Sequence, residues 1–289
     1  MSELISVITL THNKLEVTRR CLPGLLAGSH APLEIVVVDN GSTDGTVEWL
    51  AAFAKEARNS GVKFARILNK KNAGCSTARN QALEKARGTK IVFADNDVTL
   101  RSRNWLQTLS QTLEDDACTA MAGPKLVYPR KPYDIQFAGG AVSKSGRVQF
   151  IGRGESNGDP RFNKRCEVQW FASACLMVRK AVLDDVGGFD EAFNPVQFED
   201  TDLCYRVRSR GYRIVYEPSA EMYHFESTTT AGTEAVPNAA LVIRHGLLFK
   251  ERWRYMFSKE NGPPDPETAW RKMPPCDIST IGQLPVTGG

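Results

Sequence analysis

Ile91-Val92-Phe93-Ala94-Asp95-Asn96-Asp97 decides how the rest of the chain is read. Four apolar residues, rich in β-branched and aromatic side chains, read as a buried strand of a parallel sheet. Two aspartates follow at once. If the strand stays extended, Asp95 and Asp97 point to one side and Asn96 to the other. Open α/β sheets bind ligands at the carboxyl ends of their strands. Two like charges there require a cation between them, and a divalent metal holding a diphosphate meets that need. A solvated Asp-Asn-Asp turn is the plainer alternative. A calcium loop is excluded, because its sixth position needs Gly and here holds Leu100.

Working outward, the chain before this stretch repeats strand and helix. Leu4–Leu10, Leu33–Val38 and Val62–Leu68 read as strands, while Lys14–Ala27, Thr46–Ala57 and Ser76–Arg87 carry helical spacing. This is the α/β class, with a mostly parallel central sheet and right-handed crossovers. The chain has no G-x-G-x-x-G and no P-loop, so dinucleotide and ATPase readings lose support. Further on, Trp105–Leu113, Lys180–Val186, Asp200–Arg210 and Ala239–Phe257 read as helices. Met121–Val127 and Val168–Val178 read as strands, as does Arg213–Tyr216, with Pro218 after it and His224 in a polar turn. Residues from Tyr128 to Arg165 read as loops and short antiparallel strands, and those beyond Lys259 as a loosely ordered Pro-rich tail.

Lys and Arg number 37 against 33 Asp and Glu, a net +4. That is too mild for a nucleic-acid partner, though it suits an anionic small ligand. Seven cysteines without a Cys-x-x-Cys pair fit neither a disulfide framework nor a metal ribbon, and point to a reducing, cytoplasmic setting. The opening residues lack the basic and apolar regions of a signal peptide, and no run reaches the ~18–20 apolar residues of a membrane span.

Asp39 ends the second strand, where a carboxylate can accept from a base N–H or a ribose hydroxyl; Asp39-Asn40-Gly41-Ser42 is equally a turn with a helix cap. Asn72, Gly74, Arg79 and Asn80 lie at another strand-to-helix junction. A glycine turn lets backbone N–H groups approach a phosphate, with Arg79 one helical turn inside to reach it. Glu199 and Asp200 begin a helix and follow aromatic residues. That placement suits a general base aimed into a pocket, although acidic residues at a helix start also answer the dipole. Asp202 and Arg206 have the spacing of a surface ion pair. His224 is one of four histidines, and a metal already held by Asp97 would make it a ligand.

These strings together resemble the inverting glycosyltransferases of family 2, of GT-A fold. The matching stretches are Ser6–Asn13, Val36–Thr46, Asn72-Ala73-Gly74 with Ala78-Arg79-Asn80, Phe93–Asp97, Val186–Glu191, Phe198–Arg206, Gly211-Tyr212-Arg213 and His224. The second half is most similar to the rhamnosyltransferase-like branch. The resemblance implies a nucleotide-sugar transferase over residues 1–230, with a donor-binding half at 1–100 and an acceptor half at 101–230, followed by a helix and tail at 231–289. It implies a nucleoside-diphosphate sugar, UDP- or dTDP-linked, and Mn²⁺ or Mg²⁺. Asp39, Thr9 and Thr11 would line the nucleotide pocket, with Asn72, Gly74 and Arg79 toward the diphosphate. Asp95 and Asn96 would face the donor. Asp97, Asp95 and His224 would ligate the metal, and Asp200 with Glu199 would serve as base. Asp202 and Trp170 would lie on the acceptor side, Trp170 being equally a core aromatic. The acceptor would be a glycan, a lipid-linked sugar or a protein.

Two departures bear on the site. Ser173-Ala174-Cys175 stands where relatives often have Ser-Gly-Ala, which would reshape the acceptor pocket, and Thr11-His12-Asn13 stands where Tyr is usual. Two rivals remain. Asp95-Asn96-Asp97-Val98-Thr99 also resembles the nucleophile motif of haloacid-dehalogenase-type phosphatases, although that motif follows a first strand and here three β-α units precede it. A degenerate transferase kept for binding is the second, against which the retained Asp95, Asp97 and Asp200 argue. Residues 247–257 mix bases with aromatics. They pack an apolar stripe on the domain or, less favoured, make a peripheral contact with an anionic membrane surface.

Overall fold

The computed structural model describes residues 3–26, 32–226, 238–267, 270–274 and 276–288. In chain order its main elements are β1 (Ile5–Thr11), α1 (Leu15–Leu26), β2 (Leu33–Asp39), α2 (Thr46–Asn59), β3 (Lys63–Leu68), α3 (Cys75–Lys85), β4 (Lys90–Ala94), β5 (Val98–Leu100), α4 (Trp105–Glu114), β6 (Thr119–Val127), β7 (Ile135–Phe137), β8 (Gly140–Val142), β9 (Val148–Phe150), β10 (Cys166–Val168), β11 (Cys175–Arg179), α5 (Lys180–Val186), α6 (Glu199–Ser209), β12 (Arg213–His224) and α7 (Asn238–Phe257). The expected end of the first helix, Ala27, and the boundary set at residue 230 lie outside the described residues.

Burial sorts the strands. β2 and β4 are buried along their whole length, as strands covered on both faces must be. They flank β1 in parallel, and β3 closes that side with the alternating exposure of an edge strand. α2 buries Thr46, Leu50, Phe53, Ala54 and Ala57, one stripe at helical spacing laid on the sheet. On the far side of β4 the sheet turns mixed: β11 runs antiparallel to both β4 and β6, and β12 runs parallel to β6. The order β10-β12-β6-β11-β4-β1-β2-β3 makes a mixed sheet, parallel from β4 through β3, in keeping with the expected α/β class. β8 and β9 form a separate hairpin.

The structure corrects three expectations. Val168–Val178 is two strands rather than one. The chain leaves the sheet after β10 to exchange backbone hydrogen bonds with Gly140 at Gln169 and Trp170, then returns as β11. β12 does not stop before Pro218 but runs to His224. A register shift between Glu217 and Glu221 lets the strand pass over Pro218, which has no N–H to give the ladder, and the Glu217 carboxylate accepts from the Ser219 N–H within the bulge. The Pro-rich tail is tied down: Arg20 of α1 donates to the carbonyls of Ile278, Ile281 and Gly282, and the Tyr223 hydroxyl donates to Pro285.

α7 places Leu241, His245, Phe249, Trp253 and Phe257 on one buried stripe. Burying a large apolar side chain contributes about 2–3 kcal/mol. Phe249, Trp253 and Phe257 thus commit this face to the domain, the packing alternative for residues 247–257. No described helix is long and apolar enough to cross a membrane.

Candidate active site

Asp95, Asp97 and His224 offer ligand atoms that all lie within 4.8 Å of one another. Strand extension, the route expected for the two aspartates, does not bring this about. β4 stops at Ala94 and the chain turns, with Val98 N–H donating to the Asp95 carbonyl. Asn96 points away from the ligand atoms and donates its amide to Thr18 of α1, so its side chain braces the turn. β5 then pairs antiparallel with β12, setting His224 opposite Val98, and the Phe225 N–H donates to the Asp97 carbonyl.

The His224 Nδ1 lies 2.7 Å from the Gln136 side-chain oxygen, and its Nε2 lies 3.2 Å from the Asp97 carboxylate. For Nε2 to ligate a cation the ring proton must sit on Nδ1, where the Gln136 oxygen accepts it. Without a metal, burial disfavours the charged imidazole, but Asp97 and Asp95 outweigh it and raise the His224 pKa. Two carboxylates and an imidazole suit Mn²⁺ or Mg²⁺, and the residues fit the ion that the sequence implied. Gln136 escaped the sequence reading because it lies in a Gly- and charge-rich stretch with no local signal.

Arg79 joins this cluster to the second half of the molecule. One arm meets Asp95 at 3.0 Å and the other meets Glu199, also at 3.0 Å, with the guanidinium above the Phe189 ring. Desolvation pushes the Asp95 carboxyl up, Arg79 pulls it down, and Asp97 adds to the rise. Next to Glu199, Asp200 accepts from the N–H of Ser173 at 3.3 Å and of Thr201 at 2.7 Å. Burial and the neighbouring Glu199 push its carboxyl up to about 7. The same loop that holds Asp200 holds Asp95, since the Asp95 N–H donates to the Ala174 carbonyl. Asp97 and Asp200 therefore belong to one contiguous set of groups.

The donor-side loops come out differently. Asp39 is buried at the end of β2; its Oδ1 accepts from Gly41 and Ser42 N–H and its Oδ2 from the Thr11 hydroxyl. Thr9 donates to the Ala94 carbonyl. At the glycine turn, three successive N–H groups already have protein acceptors. Gly74 N–H donates to Asn72, Cys75 N–H to the Pro195 carbonyl, and Ser76 N–H to the Asn194 side chain. Gly74, at φ 84°, is required because a β-carbon would strike Asn194. Asn72 and Gly74 thus seat the start of α3 and aim Arg79.

Two side chains expected toward the acceptor are buried. Asp202 is not a surface pair with Arg206: its side chain is 0% exposed and accepts from Arg206, Arg252 and the Trp253 indole at 2.8–2.9 Å. It locks α6 to α7. Trp170 is buried, donating to the Ala141 carbonyl and packing on Phe137 and Phe150; it is the core aromatic of the two alternatives.

With this geometry in hand, comparison with known proteins is informative. The family profile of glycosyl transferase family 2 matches residues 6–187. An uncharacterized protein of Sinorhizobium fredii is 31% identical over 259 residues, covering 87% of this chain; the chain spans only 28% of that protein's length. The N-acetylglucosaminyl-diphospho-decaprenol L-rhamnosyltransferase of Mycobacterium tuberculosis is 26% identical over 260 residues, 83% of this chain and 82% of that one. It agrees with the branch that the second-half strings resemble. Among solved structures, the mannosyltransferase of Pyrobaculum calidifontis in complex with GDP-Man and Mn²⁺ superposes with a TM-score of 0.62 at 20% identity, over 93% of this chain and 68% of that one. The three β-α units before Asp95, which already told against the phosphatase motif, fall inside the matched region. The chain belongs to glycosyl transferase family 2.

Proposed function

We propose that this chain transfers a sugar from a nucleoside diphosphate, UDP- or dTDP-linked, to a hydroxyl of a glycan, lipid-linked or protein acceptor, with inversion, in bacterial surface-glycan synthesis. One observation carries the reading: the Asp95, Asp97 and His224 cluster, whose ligand atoms could hold a cation, is joined through Arg79 to Glu199, whose neighbour Asp200 has its carboxyl pushed up to about 7.

In this reading Asp95, Asp97 and His224 hold Mn²⁺ or Mg²⁺, which when bound neutralises charge on the departing diphosphate. Residues 1–100 receive the donor. Among the described residues Asp39 Oδ2 accepts from the Thr11 hydroxyl, and its second lone pair can take a base N–H. Residues 101–230 receive the acceptor. Asp200 takes the proton as the acceptor oxygen attacks the anomeric carbon opposite the leaving group, and one displacement inverts the centre. Two backbone N–H groups fix this carboxylate without neutralising it, and its raised pKa matches it to a base working near neutrality. Glu199 acts through Arg79, holding it toward Asp95. Any membrane contact falls to the outward residues of α7, among them Ile243, Leu247, Lys250, Arg254 and Tyr255.

Calorimetry with UDP or dTDP and Mn²⁺ tests the reading. Binding that requires the metal and disappears in Asp97→Ala is the expected result. In the presence of acceptor, Asp200→Asn should bind donor yet release nucleoside diphosphate about 10³-fold more slowly, and NMR of the new anomeric centre reads the inversion in the unaltered chain. If no nucleoside diphosphate binds with any divalent ion, the proposal falls.

A further inference from the structure

A run of aromatic rings leads from the loop after β10 to the surface. Phe137 and Trp170 are buried, each with its centroid within 5.2 Å of Phe150. Phe150 then meets Trp270 at 5.1 Å with the ring planes at 86°. These last two rings are open to solvent, Phe150 at 37% and Trp270 at 58%. They form a right-angled apolar corner contributed by β9 and the tail.

The corner is wired to both ends of the candidate active site. The Arg153 guanidinium lies 4.1 Å from the Trp270 centroid and forks onto the Glu226 carboxylate at 2.7 and 3.1 Å. Glu226 follows His224 by two residues, and its charge is felt there. The Tyr128 hydroxyl donates to the same carboxylate. On the other flank, Trp170 belongs to the loop whose Ser173 N–H holds Asp200.

We propose that Trp270 and Phe150 form an acceptor subsite for a pyranose ring, with Arg153 and Glu226 at its inner edge. The inference rests on the transferase reading above. A pyranose offers a C–H face that lies flat on an indole and a rim of hydroxyls that a guanidinium and a carboxylate bind. Two rings at a right angle match one sugar in area, against the several hundred Å² of a protein or membrane contact. The Glu226 carboxylate, 24% exposed and held by the buried Arg153, which also donates to the Arg271 carbonyl, gives a sugar hydroxyl a partner that a lipid tail would lack.

The test uses the full chain and ligand-observed NMR with methyl pyranosides of rhamnose, mannose, glucose, galactose and N-acetylglucosamine. At least one should bind saturably, and Trp270→Ala or Phe150→Ala should weaken it by about tenfold. Trp270→Phe, which keeps a flat ring, should recover most of the affinity. UDP binding with Mn²⁺, measured on the same variants, separates the outcomes. Sugar affinity lost alone supports the subsite. Sugar and nucleotide affinity lost together marks general damage and overturns it. So does saturable sugar binding that both alanine variants retain, or no binding of any pyranoside to the unaltered chain. Failure of the unaltered chain to bind any nucleoside diphosphate would instead strike the transferase reading itself.

Discussion

Asp200 and Asp202 sit two residues apart on the first turn of α6, roughly 200° apart around the helix, and meet opposite fates. Asp202 accepts from three side chains, two of them guanidinium groups, and is sealed from water. Among the described residues Asp200 accepts only from neutral donors, the Ser173 and Thr201 N–H groups and the Thr201 hydroxyl; it sits against Glu199, and its carboxyl is pushed up to about 7. A carboxylate fully paired with fixed cations becomes a strut. One that is fixed but left uncompensated keeps the basicity that proton transfer needs. The two faces of one helical turn therefore divide architecture from chemistry.

Breaking the two sides of this contrast should give different readouts. Asp200→Asn should lower the transfer rate by about 10³-fold while nucleotide and Mn²⁺ affinity persist, measured by product release and calorimetry. Asp202→Ala should instead lower stability by about 3 kcal/mol in denaturant unfolding, because Arg252 and Arg206 lose a buried partner, with the rate of the folded fraction little changed. Equal rate losses in both variants would erase the distinction.

Smaller effects sharpen it. Gln136→Ala removes the side chain that orients the His224 ring and should weaken Mn²⁺ binding about tenfold, read by calorimetry. The turnover rate should climb with pH through about 7 and level off above, since Asp200 must be ionised to accept a proton; the climb should vanish in Asp200→Asn. The same shift works against stability. The folded form binds this proton more tightly than an ordinary carboxylate does, so stability falls as pH rises from about 4 to about 7. At pH 8, Asp200→Asn should accordingly be more stable than the unaltered chain, by on the order of 1 kcal/mol in denaturant unfolding.

Much of the donor half was legible because its signals are local. β1, α2, β2 and β4 follow apolar runs and helical spacing within about a dozen residues, and their observed bounds differ little from those expected. Asp95, Asp97, Arg79, His224 and Asp200 were named from the chain, and the structure brings them together. The errors fall where partners are distant in sequence. Val168–Val178 looks like one strand on its own, yet Gly140 draws its middle out of the sheet. Pro218 looks like an end until β6 supplies a ladder on both sides of the bulge.

By itself, the sequence determined the α/β class, the strand-to-helix junctions and the residue types available for chemistry, since these depend on short-range periodicity and side-chain identity. Only the tertiary structure decided which carboxylate is left without a paired cation and which is a strut, how His224 reaches Asp97, and that Asn194 and Pro195 seat the glycine turn ahead of Arg79. Those outcomes depend on what lies opposite each group: Ser173 for Asp200, Arg252 and Trp253 for Asp202, Val98 for His224, Asn194 for Gly74. A carboxylate's pKa and a strand's length are both set by such neighbours, and these lie some 25 to 130 residues away along the chain.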